Sequence, residues 1–271
     1  MATVGGIGLV AAARLYMRCL GAHVRAVMEY QSDFWLLIGA GLVTQSLGLV
    51  FLGSVVARVP DLNGWRFEDM VVVYGLAGLA QGAVPLFSDG IWSLGRYIHI
   101  GELDYRLVRP YPAILQVMSS QVGFAGVGDV VGGGALTIWA LTRVQVHWTA
   151  WHAFVGVLLL LSAAATRIAI TVASNTISFW VRSPIPTFAG ALFQVGELAR
   201  YPISIYAVPL RAVIACIVPF AFAGFFPAAW FLGRGGYTWI GLLTPIVATL
   251  TALLAYGLFQ LGLRRYDSAG H

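Results

Sequence analysis

Two ionisable residues lie inside long apolar stretches of the sequence and are the first candidates for chemistry. Asp129 falls within the stretch Pro112–Leu141, and Arg167 falls within the stretch Trp151–Trp180. Ionised groups in an apolar environment are costly and usually form pairs or face a wet cavity. If both stretches are helices, the depths of the two residues from the outer ends differ by roughly 6 Å, within reach of an arginine side chain. The pair is therefore expected to form a salt bridge between neighbouring helices or to contact a substrate.

A second candidate is a charged segment that follows a short amphipathic pattern. Asp89–Ile100 has one apolar and one polar helical face, and the glycine after it is expected to end that helix. A segment with a rigid helix, a sharp helix end and exposed charges could bind in a cleft of a soluble partner. The alternative is a solvated loop whose charges only set topology. The candidate contact residues are Gly101, Glu102, Leu103, Asp104, Arg106 and Arg109.

Neither a catalytic set nor a metal-binding set is recognisable in the sequence. His147 and His152 are five residues apart without an acidic neighbour, unlike the i, i+4 pair of a helical zinc site. The 16 basic residues are all arginines, so the phosphate-binding lysine of a P-loop is missing. Because these arginines are dispersed, they also argue against nucleic-acid binding. The chain itself is therefore expected to be no enzyme and to hold no metal or cofactor.

The composition indicates which elements must position these residues. Hydrophobic residues make up 59% of the 271 residues and charged residues only 10%, with a mean hydropathy of +0.82. A soluble domain carries roughly 25% charged residues. The chain is therefore expected to be an all-α, polytopic membrane protein, with residues 1–271 forming a single transmembrane domain.

Hydropathy and turn signals predict six transmembrane helices. Before them, Arg14–Tyr30 has arginines on one helical face and apolar residues on the other, which is typical of a helix in the membrane interface (residues 14–30). The segment of residues 89–110 is too polar to cross. The predicted spans are Phe34–Val56, Met70–Phe87, a helix within Pro112–Leu141, Trp151–Trp180, the short Thr187–Leu198, and Trp239–Leu263.

The charge distribution predicts the orientation of the chain. The arginine-rich start and Arg264-Arg265 near the end both belong on the cytoplasmic side by the positive-inside rule. Two cytoplasmic termini require an even number of crossings, so the apolar stretch Ala212–Leu232 is expected to enter and leave on the outer side. Such backbone needs protein or a cavity around it. The outer re-entrant segment is residues 199–235, with Tyr201, Pro202, Pro219 and Pro227 as candidate gate residues.

Several motifs along the chain resemble those of a prokaryotic ABC-exporter permease family with the type-2 fold. The resemblance covers nearly the whole chain in one order and includes no substrate motif. The residues that carry it are Phe67-Glu68, Tyr74-Gly75-Leu76, Gly101-Glu102-Leu103-Asp104, Leu107-Val108-Arg109-Pro110, Leu115-Gln116, Glu197-Leu198-Ala199-Arg200-Tyr201-Pro202, Val218-Pro219-Phe220-Ala221, Phe226-Pro227-Ala228 and Leu263-Arg264-Arg265-Tyr266.

The resemblance implies the membrane permease subunit of an ATP-driven exporter in the prokaryotic plasma membrane. In that arrangement an identical or a sister permease forms the second half of the path. Two separate ATPase subunits, which bind ATP and magnesium, dock against the coupling segment at residues 89–110. The alternatives from other functional classes are an integral membrane enzyme that acts on lipids, and a passive channel or assembly scaffold.

Overall fold

The computed structural model describes residues 8–28, 31–58, 64–146, 149–181, 183–233 and 235–267. These residues form helices joined by turns, and no strand occurs among them. Within this part of the chain, 5 helices are long and apolar enough to cross a membrane: Phe34–Arg58, Phe67–His99, Ala125–Arg143, Ala150–Val181 and Thr244–Arg265. The prediction of an all-helical membrane protein is confirmed.

The α-helices are numbered here in chain order. Short 3-10 turns connect several of them, at Asp89–Ser93, Leu198–Arg200, Ile203–Ile205, Phe220–Ala223 and Gly235–Tyr237. The helices are α1 (Leu9–Met28), α2 (Gln31–Arg58), α3 (Phe67–Ser88), α4 (Leu94–His99), α5 (Glu102–Leu107), α6 (Ala113–Met118), α7 (Ala125–Arg143), α8 (Ala150–Thr176), α9 (Ser178–Val181), α10 (Thr187–Glu197), α11 (Val208–Ala212), α12 (Phe225–Phe231), α13 (Thr238–Gly241) and α14 (Thr244–Arg265).

Helix α3 is the centre of the bundle. It is buried along most of its length and packs against α7 on one side and α8 on the other. Glycines allow the close approach to α7: a Cβ atom at Gly75 would lie 2.8 Å from the carbonyl oxygen of Gly133, and one at Gly82 would lie 2.7 Å from that of Gly126. Small residues let the backbones of membrane helices approach in this way. The antiparallel α3–α7 pair therefore has two glycine contacts, seven residues apart on each helix.

The predicted third span is helix α7, which extends two residues beyond the stretch Pro112–Leu141, to Arg143. The same stretch also holds α6, because the chain turns at residues 119–124. There the backbone N–H of Gly123 donates to the carbonyl of Pro85 at 2.9 Å, so a contact with α3 replaces helix continuation. The last long helix begins at Thr244 rather than Trp239, which belongs to the separate α13.

The predicted short fifth span corresponds to helix α10, which has 11 residues. At 1.5 Å per residue it is about 16 Å long, roughly half of the hydrocarbon thickness. Its last turn continues as the 3-10 turn Leu198–Arg200, and the chain then leaves helical geometry at Tyr201. A helix that ends at this depth places its final polar side chains inside the bundle.

Residues 208–231 form a hairpin that turns at Pro219. Helix α11 continues as a π-helical turn, Val213–Ile217, and α12 runs back after the turn. Before the hairpin, Ser204 accepts a 2.9 Å hydrogen bond from Trp65, which precedes α3. Phe220, the first residue after the turn, lies against Arg167 in the middle of α8; we refer to this turn as the base of the hairpin. Phe231 covers Gly156 near the start of α8. Phe220 and Phe231 therefore contact α8 at two different levels, its middle and its start.

Candidate functional site

The two predicted intramembrane charges have different partners from the ones expected. The Asp129 carboxylate accepts a 3.1 Å hydrogen bond from the side-chain amide of Gln45. Arg167 donates through Nε to Gln81 at 2.5 Å and forms an ion pair with Glu197 at 3.4 Å. The predicted Asp129–Arg167 salt bridge is therefore corrected. The physical reason is that α3 lies between α7, which holds Asp129, and α8, which holds Arg167.

Asp129 and Arg167 are nevertheless parts of one network. Nε of Arg200 lies 2.7 Å from Glu197, whose other carboxylate oxygen contacts Arg167. Nη1 of Arg200 donates to Gln45 at 3.3 Å, and Gln45 in turn binds Asp129. We refer to the whole set as the charge network; it consists of Gln45, Tyr74, Gln81, Asp129, Arg167, Glu197 and Arg200.

The charges of the network balance, since two carboxylates face two guanidinium groups. Arg167 and Glu197 differ in burial, with side chains 5% and 32% exposed. Arg200 also reaches the Tyr74 hydroxyl at 3.4 Å. A neutral, hydrogen-bonded set is the form in which ionised groups are tolerated within a membrane protein. The network can therefore remain ionised, and both of its carboxylates, Asp129 and Glu197, are partly exposed.

Sequence reasoning missed the role of Glu197 and Arg200. Both were included only in a family-like motif at the end of the predicted fifth span. Their spacing of three residues places them on one face where a helix continues, as it does here into a 3-10 turn. That spacing, together with the apolar residues around it, is the signal from which the pair could have been found.

Arg167 also connects the network to the hairpin. Its guanidinium carbon lies 5.2 Å from the ring centre of Phe193 and 4.7 Å from that of Phe220. Gly196 is next to it, and a Cβ atom at that position would overlap Nη1 of Arg167. Cation–π contacts of this kind are worth about 2 kcal/mol when they are desolvated. A narrow crevice lies among these groups and is also lined by Ala77 and Ala223.

The predicted contact segment contains residues that face inward. Leu103 is fully buried, and Glu102 forms a 2.7 Å ion pair with Arg106. The guanidinium of Arg106 stacks 4.1 Å above the ring of Tyr97. Gly101 precedes them with φ 72°, a left-handed conformation that glycine adopts readily. These residues support the segment and are committed to contacts within the chain.

Other residues of the same segment face outward. Tyr105 is 73% exposed and Val108 is 83% exposed, and Arg109 beside them is also exposed. We call these three residues the α5 tip. Asp104 lies near the hydroxyl of Tyr266, and burial together with this carboxylate raises the pKa of Tyr266 to about 12. The α5 tip therefore presents two large apolar side chains and a cation at the end of the bundle where α14 ends.

The predicted outer residues have separate places in the structure. The Tyr201 ring lies 6.3 Å from that of Tyr74 and 6.1 Å from that of Phe51. Pro202 is buried before a 3-10 turn, Pro219 forms the hairpin turn, and Pro227 is buried within α12. Apart from the contact of Tyr201 with Tyr74, these residues lie outside the charge network.

The histidines considered from the sequence show no joint site. The His152 ring stacks 5.4 Å from Trp230, and its Nδ1 lies 2.8 Å from the hydroxyl of Thr149. His147 lies outside the described residues. Within the part of the chain that the structure describes, no group of 3 or more His, Cys, Asp or Glu residues could hold a metal ion.

Comparison with known proteins identifies the family. A family model described as "ABC-2 family transporter protein" matches residues 42–270, which is most of the chain and includes the charge network, the hairpin and the α5 tip. No curated protein and no solved structure matches significantly. The chain therefore belongs to the ABC-2 transporter family and is the membrane subunit of an ABC transporter.

Proposed function

We propose that the chain is the permease subunit of an exporter driven by separate ATPase subunits, and that a second permease completes its translocation path. Family membership supports a role beside ATP-binding subunits. The lack of lysine means that the chain has no P-loop lysine of its own. Two ATPase subunits would bind the ATP and magnesium, while this chain supplies the path.

The α5 tip is the proposed docking site for the ATPase. Glu102, Leu103 and Arg106 hold α5 firmly against the bundle, while Tyr105 and Val108 project from it. A solvated loop that only sets topology needs neither buried support nor exposed large apolar side chains. Large side chains on a rigid base are typical of residues that dominate protein–protein binding. The docking contact thus moves from the charges at Glu102 and Asp104 to Tyr105, Val108 and Arg109.

The proposed orientation has this end of the bundle in the cytoplasm of a prokaryotic cell. The arginines of α1 support it, because Arg14, Arg18 and Arg25 are all exposed. The opposite face of α1 is turned to the bundle through Leu20 and through Tyr16, whose hydroxyl donates to the carbonyl of Phe87 at the end of α3. Exposed arginines on a helix held in this way can meet anionic lipid headgroups.

Alanine substitutions in the α5 tip test the proposal. We expect Tyr105→Ala with Val108→Ala to weaken co-purification of the ATP-binding subunit at least about tenfold, since removal of a hot-spot side chain costs more than about 1 kcal/mol. Vanadate-sensitive transport in liposomes should fall in parallel. Membrane abundance and thermal stability should stay normal, because both side chains are exposed.

Trp239→Ala is the matched control, because Trp239 is 78% exposed and precedes α14 at the opposite end of the bundle. Normal binding of the ATPase by the double variant would show that the α5 tip is a solvated loop. Flux without ATP would instead support a passive channel, and turnover of a lipid by the chain alone would support an enzyme.

A further inference from the structure

The charge network links side chains from several helices of the bundle. Glu197 is the branching point, because one carboxylate oxygen contacts Arg167 at 3.4 Å and the other contacts Arg200 at 2.7 Å. The Arg200 branch continues through Gln45 to Asp129, and the Arg167 branch ends at Gln81 and Phe220. The helices linked in this way are α2, α3, α7, α8 and α10.

The two branches differ in what they hold. The Arg200 branch lies among long helices, and its ion pair is the shorter of the two. The Arg167 branch reaches the hairpin, since the guanidinium stacks on Phe220 directly after the turn at Pro219. Part of the hairpin's attachment to α8 thus depends on where Glu197 holds the Arg167 side chain.

The remaining contacts at the base of the hairpin are apolar, and Phe220 shares one buried cluster with Ile170 of α8 and Ala199. Ala223 packs with Ala80 of α3 and Ala163 of α8, and Gly224 lies directly against Ala77. These apolar contacts carry no charge. Among the contacts of the described residues given above, the one between Arg167 and Phe220 combines charge with directionality.

We propose that Glu197 and Arg167 form an ionic lock that holds the base of the hairpin against α8, and that the lock opens during transport. This inference rests on the proposed function, because it assigns the hairpin a moving role in the translocation path. When Glu197 releases Arg167, the carboxylate keeps its pair with Arg200, and the hairpin separates from α8. The exposed third of the Glu197 side chain is the side from which water or a polar group of the cargo reaches the lock.

Spin labels on the hairpin and on α8 test the lock directly. Ile217 and Leu161 are both exposed and accept labels without disturbing the core. With Cys19 and Cys216 replaced by serine, the distance between labels at Ile217→Cys and Leu161→Cys is measured on the full chain in lipid nanodiscs. We expect one distance in the parent and a second one, about 5 Å longer, in Glu197→Gln, on the scale of a one-turn shift between packed elements.

Two double variants separate a lock from a purely structural charge balance. Glu197→Gln with Arg167→Gln removes one charge of each sign, so thermal stability should recover while the longer distance remains. Asp129→Asn with Arg200→Gln also keeps the balance but leaves the lock intact, so the parent distance should persist. If the single variant does not fold, the charge-balanced pair carries the test.

A parent-like distance in Glu197→Gln with Arg167→Gln would overturn the ionic lock. The measurement needs neither ATP nor the ATPase, so its outcome is separate from the docking test. Normal ATP-driven transport with an unchanged distance would disprove the lock alone. A changed distance with no ATPase binding by the parent would disprove the proposed function and leave the hairpin contact established.

Discussion

At the scale of single residues, Gly196 is a position where an added methyl group would displace Arg167 of the charge network. Its hydrogen atom faces Nη1 of Arg167, and no Cβ atom fits between them. Gly190 lies on the same helix with nothing within 4 Å of the equivalent position. The two glycines of α10 therefore separate a steric role from the general cost of glycine in a helix.

We expect Gly196→Ala to lower the free energy of unfolding by about 1–3 kcal/mol, the usual cost of overpacking. The displaced Arg167 also loses its contact with Glu197. Gly190→Ala should be neutral or stabilising by up to about 1 kcal/mol, because alanine is the better helix former. Thermal unfolding of both variants in detergent checks the difference, and equal midpoints would show that Arg167 relaxes without cost.

Asp129 and Arg167 could be selected from the sequence, but their partners could not. Isolated charges in apolar stretches are visible in one dimension, and both residues do lie within the bundle. The pairing depends on which helix stands between α7 and α8, and α3 takes that place. Glu197 was hard to recognise because it ends a short helix and is followed by irregular backbone.

At the scale of elements, the α3–α7 pair shows that adjacent glycines can differ in what they contact. A Cβ atom at Gly133 would lie 2.8 Å from both the carbonyl oxygen of Gly75 and the backbone nitrogen of Leu79. A Cβ atom at the adjacent Gly134 would meet only a methyl group of Leu79, at 3.6 Å. Gly133 thus lies against the backbone of α3, whereas Gly134 lies only against a side chain.

Gly133→Ala should destabilise the protein by about 1–3 kcal/mol, since the two backbones would have to separate. Gly134→Ala should change stability by no more than about 0.5 kcal/mol, as surface substitutions usually do. The unfolding midpoints of the two variants, compared under one condition, decide the point. A larger loss in Gly134→Ala would mean that the helices pack through a different face.

Element types were easier to predict than element ends. The long spans α2, α3 and α8 follow directly from continuous apolar residues. The break between α6 and α7 was missed because residues 119–124 remain largely apolar or small, and the bond from Gly123 to Pro85 that fixes the turn joins distant parts of the chain. The prolines predicted an interruption of the apolar stretch, and Pro219 does follow the end of the helical turn Val213–Ile217; that this segment is re-entrant stays a prediction.

At the scale of the whole molecule, three segments meet at one end of the bundle. Tyr16 of α1 bonds to the carbonyl of Phe87, α5 begins shortly afterwards, and Tyr266 after α14 lies beside Asp104. The contacts of Trp65 with Ser204 and of His152 with Trp230 lie at the other end. The proposed topology requires the first group to be cytoplasmic and the second to be outside.

Cysteine labelling checks this orientation. In a background with Cys19 and Cys216 replaced by serine, a membrane-impermeant thiol reagent added to intact cells should label Trp239→Cys. It should leave Arg14→Cys and Tyr105→Cys unlabelled until the membrane is opened. All three positions are exposed, so access to the reagent depends on the side of the membrane. Reaction of Tyr105→Cys in intact cells would contradict the assigned orientation.

The glycine contacts between α3 and α7 have a mechanical consequence for the segment that joins these helices. Because α4, α5 and α6 connect the two, a force on the α5 tip acts on both members of the pair together. Backbone contacts at two levels resist bending between them, so the pair would tilt as one stiff lever. Helix α3 has 22 residues and is therefore about 33 Å long. A small rotation at the α5 end would become a larger sideways displacement at the far end, beside the ring of Trp65.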